Sequence, residues 1–509
     1  MLMIMNNIRC ILLGLICFIA QHPVLAQNNR IFEQYRREKE KERNEYMDVK
    51  QKERQIHFEK KRKEFEEYRR KKNEEFAAYL GRPWNQISQE KPIPAPKKPD
   101  PVNPTIAPPK AKPILKPIEV PHGEVKPVVH TPKEEPLDIP IPKADPNRPL
   151  TNLTLFQTPV YVSMGEHLKF KLNGVGEQEI SRWWKQLSSD AYTPMFEDCA
   201  RLCHELKLNG WATWNLCKAV GEHLLGKGTN EAVVMQTYLM AELGYDAQMV
   251  RVGKNRLAMI CPADVVLCQI NFVLKNNKKY YIWADIPNGS PIYTYQKNYA
   301  SATRVMDFSN STDILLSSDK TEKRTFKSTL DGKLSVSVNI RKSLIECYCK
   351  MPLINDWSFY ARQPMDEDVK QQLLPILKRA IQGKNEKEAA NILLHFVQTA
   401  FNYQTDEEQY KREKTDFKEE PFYYEACDCE DRSILYSELV RSLLGLDVVL
   451  LHYPNHLCTA VKFNTPVNGY YVTVNSEKYI ICDPTYINSS IGMCMDKFKQ
   501  AKAVIYTIK

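Results

Sequence analysis

Three residues able to do chemistry stand 27 positions apart in turn: Cys429, His456 and Asp483. In that order the types fit nucleophilic acyl transfer. A thiolate attacks a carbonyl carbon, an imidazole carries the proton, and a carboxylate fixes the imidazole's tautomer and orientation. The intervals leave room for one helix–strand unit and then one hairpin between the partners. Alone, each residue has an ordinary reading as a core cysteine, a hydrogen-bonded histidine or an Asp-Pro turn. Their joint order carries the argument.

The flanking residues say which elements must position them. After Cys429, the apolar positions 434, 435, 439, 440, 443 and 444 repeat with helical spacing and stop at Gly445, which predicts a helix beginning at the cysteine. Unpaired N–H groups and the dipole at a helix N-terminus favour thiolate over thiol. Glu430 and Asp431 oppose that effect, so a paired imidazolium must outweigh them. His456 follows Tyr453-Pro454-Asn455 and opens the strand-like run Leu457–Phe463, where it can act as general base and then general acid. Asp483 closes the strand Tyr479–Cys482, and Pro484 stops the ladder behind it.

The segments Asp428-Cys429-Glu430-Asp431-Arg432-Ser433, Tyr453-Pro454-Asn455-His456-Leu457-Cys458-Thr459-Ala460-Val461 and Cys482-Asp483-Pro484-Thr485-Tyr486 resemble the bacterial transglutaminase-like superfamily of papain-related cysteine enzymes. The resemblance covers about residues 375–509 with specific motifs and about 190–300 weakly. It implies an α+β core and a Cys-His-Asp triad, and so a mechanism rather than a substrate; a protein or peptide substrate with no cofactor or metal is the accompanying expectation. The reaction expected from it proceeds through an acyl-thioester on peptide or glutamine-type amide bonds, resolved by water or by an amine. Cys427, two residues before the nucleophile, departs from the pattern and reads as a redox partner or a buried thiol. The oxyanion needs donors. The Cys429 N–H is one; Gln398, on the helical run Ala389–Phe401, is the side-chain candidate, against the plainer reading of a solvent-facing glutamine.

A divergent copy of the same layout precedes this one. Gly228–Met235 leads to Leu243-Gly244, a strand at Ala247–Val250 follows, and Tyr281-Ile282-Trp283-Ala284-Asp285 parallels Tyr479–Asp483. Counting back from the helix-ending glycine places Gly228 at the cysteine position, with Asn255 or Arg256 near the histidine and Asp285 at the aspartate. The expected organisation is therefore a signal peptide at 1–26, a charged helix at 28–82 and a proline-rich linker at 91–150. A non-catalytic lobe at 151–300, a β-rich connector at 301–374 and the catalytic domain at 375–509 complete it.

The flanks support that division. Residues 1–26 read as an export signal, with Arg9, an apolar run from Cys10 to Ala20, and small residues at Val24-Leu25-Ala26. An exported, periplasmic or secreted protein without a stable membrane span is expected. Residues 28–82 carry 18 Lys or Arg against 13 Asp or Glu, with rings every eleventh position from Tyr35 to Tyr79. They read either as a lone charged helix or as a coiled-coil-like helix for a protein partner. The 18 prolines of 91–150 favour an extended spacer,. Net charge is +9 over the whole chain, largely from the N-terminal third and of mixed sign, and no nucleic-acid motif accompanies it. In an exported protein scattered cysteines raise disulfides, yet no spacing assigns a pair, and several sit in apolar runs suited to buried thiols.

Two rival functions remain. Cys347-x-Cys349 and Cys427-x-Cys429 with His456 and Cys458 offer metal ligands, although the usual Cys-x-x-Cys spacing is missing. A surface or periplasmic scaffold that retains the fold but is catalytically silent is the other.

Overall fold

The computed structural model describes residues 2–96, 105–108, 114–128, 139–141, 147–330, 332 and 334–509, with side chains from Tyr35 onward. Two units emerge, Met1–Arg69 and Arg70–Lys509. The first is part of one helix, Leu2–Leu80. Its surface carries one-turn ion pairs such as Lys39–Glu42 and Lys50–Glu53, each weak because both partners stand in solvent. Tyr35 and Tyr46 are exposed there. The expected export signal at 1–26 falls where side chains lie outside the described residues. Among the described residues no helix is long and apolar enough to cross a membrane.

The last turns of that helix belong to the second unit and are core. Asn73 is fully buried, donating to Glu242 Oε1 at 2.6 Å and accepting from Trp184 Nε1 at 2.8 Å. Phe76 packs edge-on to Trp184, Tyr295 and Tyr299 at 5.1, 5.8 and 5.5 Å between ring centroids. The regular ring spacing that suggests one continuous stripe also ends in a different role: its last member, Tyr79, is half-buried and accepts through its hydroxyl from the Gln296 and Lys297 N–H groups at 3.1 and 3.0 Å.

The second unit is α+β and contains two seven-stranded sheets of matching order. The first runs, edge to edge, Asn85–Ile87, Ile292–Thr294, Gln248–Val252, Arg256–Cys261, Lys278–Ile282, Phe272–Lys275 and Gln89–Glu90. The second runs His122–Lys126, Ala503–Thr507, Asp447–Tyr453, His456–Lys462, Glu477–Cys482, Tyr470–Val474 and Ile118–Glu119. The five inner strands follow the same chain order in both. The helix Asn230–Glu242 packs on the first and Cys429–Leu444 on the second, where the short helix Trp357–Arg362 also touches the strand Ala503–Thr507. Duplicated architecture is the simplest account of that agreement.

Two expectations need correction. The linker is more than a spacer: Ile118–Glu119 and His122–Lys126 pair in parallel with Tyr470–Val474 and Ala503–Thr507, which covers both edges of the second sheet. Such coverage removes the unpaired edges that invite aggregation. The 301–374 connector is not β-rich. Among its described residues it holds one two-stranded hairpin, Arg324–Lys327 with Ser335–Val338, beside the helices Lys342–Lys350 and Trp357–Arg362.

Phe76→Ala should destabilise the second unit by about 3–5 kcal/mol, the usual cost of emptying a packed phenylalanine site. Chemical denaturation monitored by tryptophan fluorescence measures it. A loss below about 1 kcal/mol would mean that the helix end only rests on the lobe.

Candidate active site

Local sequence places each of the three residues. Cys429 is the first residue of the helix Cys429–Leu444, after the N-cap Asp428, and Gly445 closes the helix at φ 67°. Asp431 Oδ2 accepts from the Asp428 N–H at 3.0 Å and Oδ1 from the Asp416 N–H at 2.8 Å, which pins the helix start to the loop before it. His456 begins its strand directly after a two-residue turn, Pro454-Asn455, with Tyr453 and His456 as the closing pair. Proline fixes its own φ, and Asn455 takes the left-handed φ of 64° that such a turn requires,.

His456 Nε2 and Asp483 Oδ2 are 2.9 Å apart, and both residues are buried. A carboxylate only accepts, so Nε2 carries the proton and Nδ1 is left as the base. The other oxygen, Asp483 Oδ1, accepts from the N–H groups of Thr485 at 2.9 Å and Tyr486 at 3.2 Å. Phe498 stacks on the imidazole at 4.9 Å with planes 8° apart. The ring therefore has one tautomer and one orientation.

Cys429 and His456 line the same small cavity, of about 20 Å³, with Glu430, Trp357, His452 and Asn455. The thiol and imidazole do not hydrogen-bond to each other. The sulfur instead lies 3.2 Å from Glu430 Oε2 and 3.5 Å from the Leu457 N–H. Burial first, and then the charges of Glu430 and Asp428, push the thiol well above its ordinary range. In this geometry the sulfur is a thiol that donates to Glu430. His452, beside it, is driven down to about 4 by burial, Lys126 and His456, so at neutral pH it adds no charge to the cavity.

Gln398 has another job. It is 2% exposed, and its amide nitrogen donates to the carbonyls of Asp483, Tyr486 and Ser489 at 3.1, 2.9 and 3.1 Å. That placement directs it into the loop behind Asp483 and away from the sulfur's cavity, so it does not serve as the oxyanion donor. It is equally far from a solvent-facing glutamine. Sequence reasoning noted Glu430 but missed Trp357, His452 and Asn455 as cavity walls. Only Asn455, next to the histidine, carried a local signal.

Cys427 is buried and pushed up to about 12 by that burial. All twelve described cysteines are free thiols. The rival metal set does not gather its cysteines: Cys349 bonds to the Tyr424 hydroxyl at 2.9 Å, and among the described residues no candidate metal group contains two cysteines, although His456 and Cys458 lie within 4.8 Å of each other beside Asp483.

The first lobe fixes which residues correspond. Leu257 N–H donates to Asn230 Oδ1 at 2.8 Å just as Leu457 N–H approaches the Cys429 sulfur. Asn230 is the first residue of its helix, so it and not Gly228 stands at the cysteine position; Gly228 lies in the preceding turn at φ 71°. Arg256 begins its strand opposite Val252, as His456 does opposite Tyr453. Trp283 N bonds to Met259 O at 2.9 Å, matching the Thr459–Cys482 pair of the second lobe. The aspartate position is therefore Ala284. Asp285 is one residue beyond it, and all three chemical groups are replaced.

Compared with protein-family models, with curated proteins and with solved structures, the chain matches none. The transglutaminase-like resemblance thus rests on the sequence motifs alone.

Glu430→Gln removes a negative charge that holds the thiol protonated. Alkylation of Cys429 by iodoacetamide at neutral pH should then accelerate several-fold, up to about tenfold per unit of pKa restored. An unchanged or slower rate would show that Glu430 does not control the sulfur. Gln398→Ala, which strands carbonyls around Asp483, should cost about 1–3 kcal/mol in denaturant unfolding.

Proposed function

We propose that the chain is a transglutaminase-like cysteine enzyme that opens peptide or glutamine-type amide bonds through an acyl-thioester. One observation carries the reading: Cys429 and His456 face one cavity, and Asp483 holds His456 with Nδ1 as its free base. Nδ1 takes the thiol proton while sulfur bonds to the carbonyl carbon. The carbon–nitrogen bond then breaks, and the imidazolium returns the proton to the departing amine or ammonia. Water or an amine displaces sulfur and leaves an acid or a new amide. The Cys429 backbone N–H, at the first position of its helix, is the donor offered to the oxyanion.

A cavity of about 20 Å³ admits a water and not an amide side chain,. Turnover by this reading therefore includes parting Cys429 from Glu430 and opening the wall formed by Pro96, Leu353 and Trp357. The same closure favours the second reading, a silent scaffold that keeps the fold. Export to a periplasm or beyond rests on the sequence of residues 1–26.

Purified protein given a glutamine-containing peptide and a fluorescent primary amine should release ammonia or incorporate the amine. Cys429→Ala should abolish both, His456→Ala should lower the rate by about a hundredfold or more, and Asn230→Ala should leave it intact. Turnover by Cys429→Ala would end the enzyme reading. If Cys429 resists alkylation and His456→Ala changes nothing, the scaffold reading stands in its place.

A further inference from the structure

The first lobe, which has no triad, holds a cavity far larger than the one beside Cys429. A cavity of about 410 Å³ opens between the end of the helix Thr193–Glu205, the start of the helix Gly210–Leu225 and the segment Arg304–Asp313. That volume is in the range of small-molecule sites. Its walls include the apolar Ala200, Leu208 and Leu243, together with Cys203, Tyr245 and Arg304.

Arg304 is the unusual member. Its guanidinium lies 4.3 Å from the centre of the Tyr245 ring. Tyr245 is 1% exposed, so the ring is a fixed platform. The Arg304 side chain forms no ion pair or hydrogen bond among the described residues, although it is partly withdrawn from water. Lys207 adds a second positive charge to the wall. Of the two acids there, Asp307 is engaged through Oδ1 by the Gly210 N–H at 2.8 Å, and Asp313 is exposed at the rim.

We propose that this cavity binds a small organic carboxylate, with the carboxylate paired to Arg304 and an apolar body against Leu208 and Leu243. A planar guanidinium stacked on an aromatic ring is already oriented, and it presents a fork that matches a carboxylate in two parallel hydrogen bonds. The apolar walls reward a branched or aromatic body and give nothing to a small inorganic anion. A free acid and the C-terminal carboxylate of a peptide share this chemistry. The site does not depend on the acyl-transfer reading, since none of its residues belongs to the triad.

The test uses the full chain carrying Cys429→Ala, so that binding is read without any turnover. N-acetyl-leucine, N-acetyl-phenylalanine and isovalerate are titrated by calorimetry, each against its own amide; the tripeptide Ala-Ala-Leu against its C-terminal amide separates the peptide source from the free acid. At least one carboxylate should bind about tenfold or more tightly than its amide, and Arg304→Gln should remove that preference while Arg304→Lys keeps part of it. The acid–amide comparison in the parent protein needs no Arg304 variant and so stands even if the variant misfolds. The proposal is overturned if no acid outbinds its amide, or if a folded Arg304→Gln protein retains the preference.

Discussion

The pairing of His456 with Asp483 depends on strand register, and the candidate site depends on that pairing. Thr459 lies opposite Cys482 on adjacent antiparallel strands, so the residue after Cys482 falls opposite Cys458. Side chains alternate between faces, which puts residues 456 and 458 on one face. Asp483 thus reaches His456 diagonally, at the separation where long side chains still meet. A slip of one residue would turn every one of these groups to the other face. The sheet interior guards against it: Val449, Leu451, Cys458, Ala460, Val472 and Ile481 share one buried cluster. Burial of apolar area thereby specifies the position of a carboxylate to within a hydrogen bond.

The parts of this arrangement legible in the sequence were those with local signatures. The Cys429 helix announced itself by periodicity and by Gly445, the hairpin by Pro454-Asn455, and the strand end by Asp483-Pro484. What escaped was set by distant contacts. Gln398 looked like a free donor because nothing near it in sequence tells that three carbonyls from residues 483–489 converge on its amide. The proline-rich stretch gave the signal of an unpaired spacer, yet a few of its residues suffice to pair with exposed sheet edges. Composition describes what a segment does alone; edges elsewhere in the fold decide where it goes.

The lobe comparison shows the same limit from another side. Matching by the helix-ending glycine selected Gly228, because Gly244 and Gly445 are both readily visible. The helix of the first lobe is shorter, 13 residues against 16, so Gly244 lies closer to the helix start and the count drifts by two residues. Hydrogen bonds do not drift: the Leu257 and Leu457 N–H groups address the first residue of each helix. Register then assigns Arg256 and Ala284 to the histidine and aspartate positions. Strand pairing has been kept in this lobe while each chemical group has been replaced, as expected if the sheet is required for folding and the triad is required only for chemistry.

The closed state of the sulfur's cavity bears on how reactivity would be controlled. A thiol beside two carboxylates and nearly out of water is stable and unreactive,. Conversion to a nucleophile requires a change that weakens the Glu430 contact and brings the sulfur toward Nδ1 together. Entry of a substrate accomplishes both in principle, since an amide seated against Trp357 displaces the residues that close the cavity and gives the imidazole a proton acceptor to serve. On the acyl-transfer reading the sulfur would then be shielded from bulk oxidants until a substrate arrives, which would suit a free cysteine if the chain is exported. Binding energy from the substrate would be spent on opening the site, so good substrates would be distinguished by rate more than by affinity.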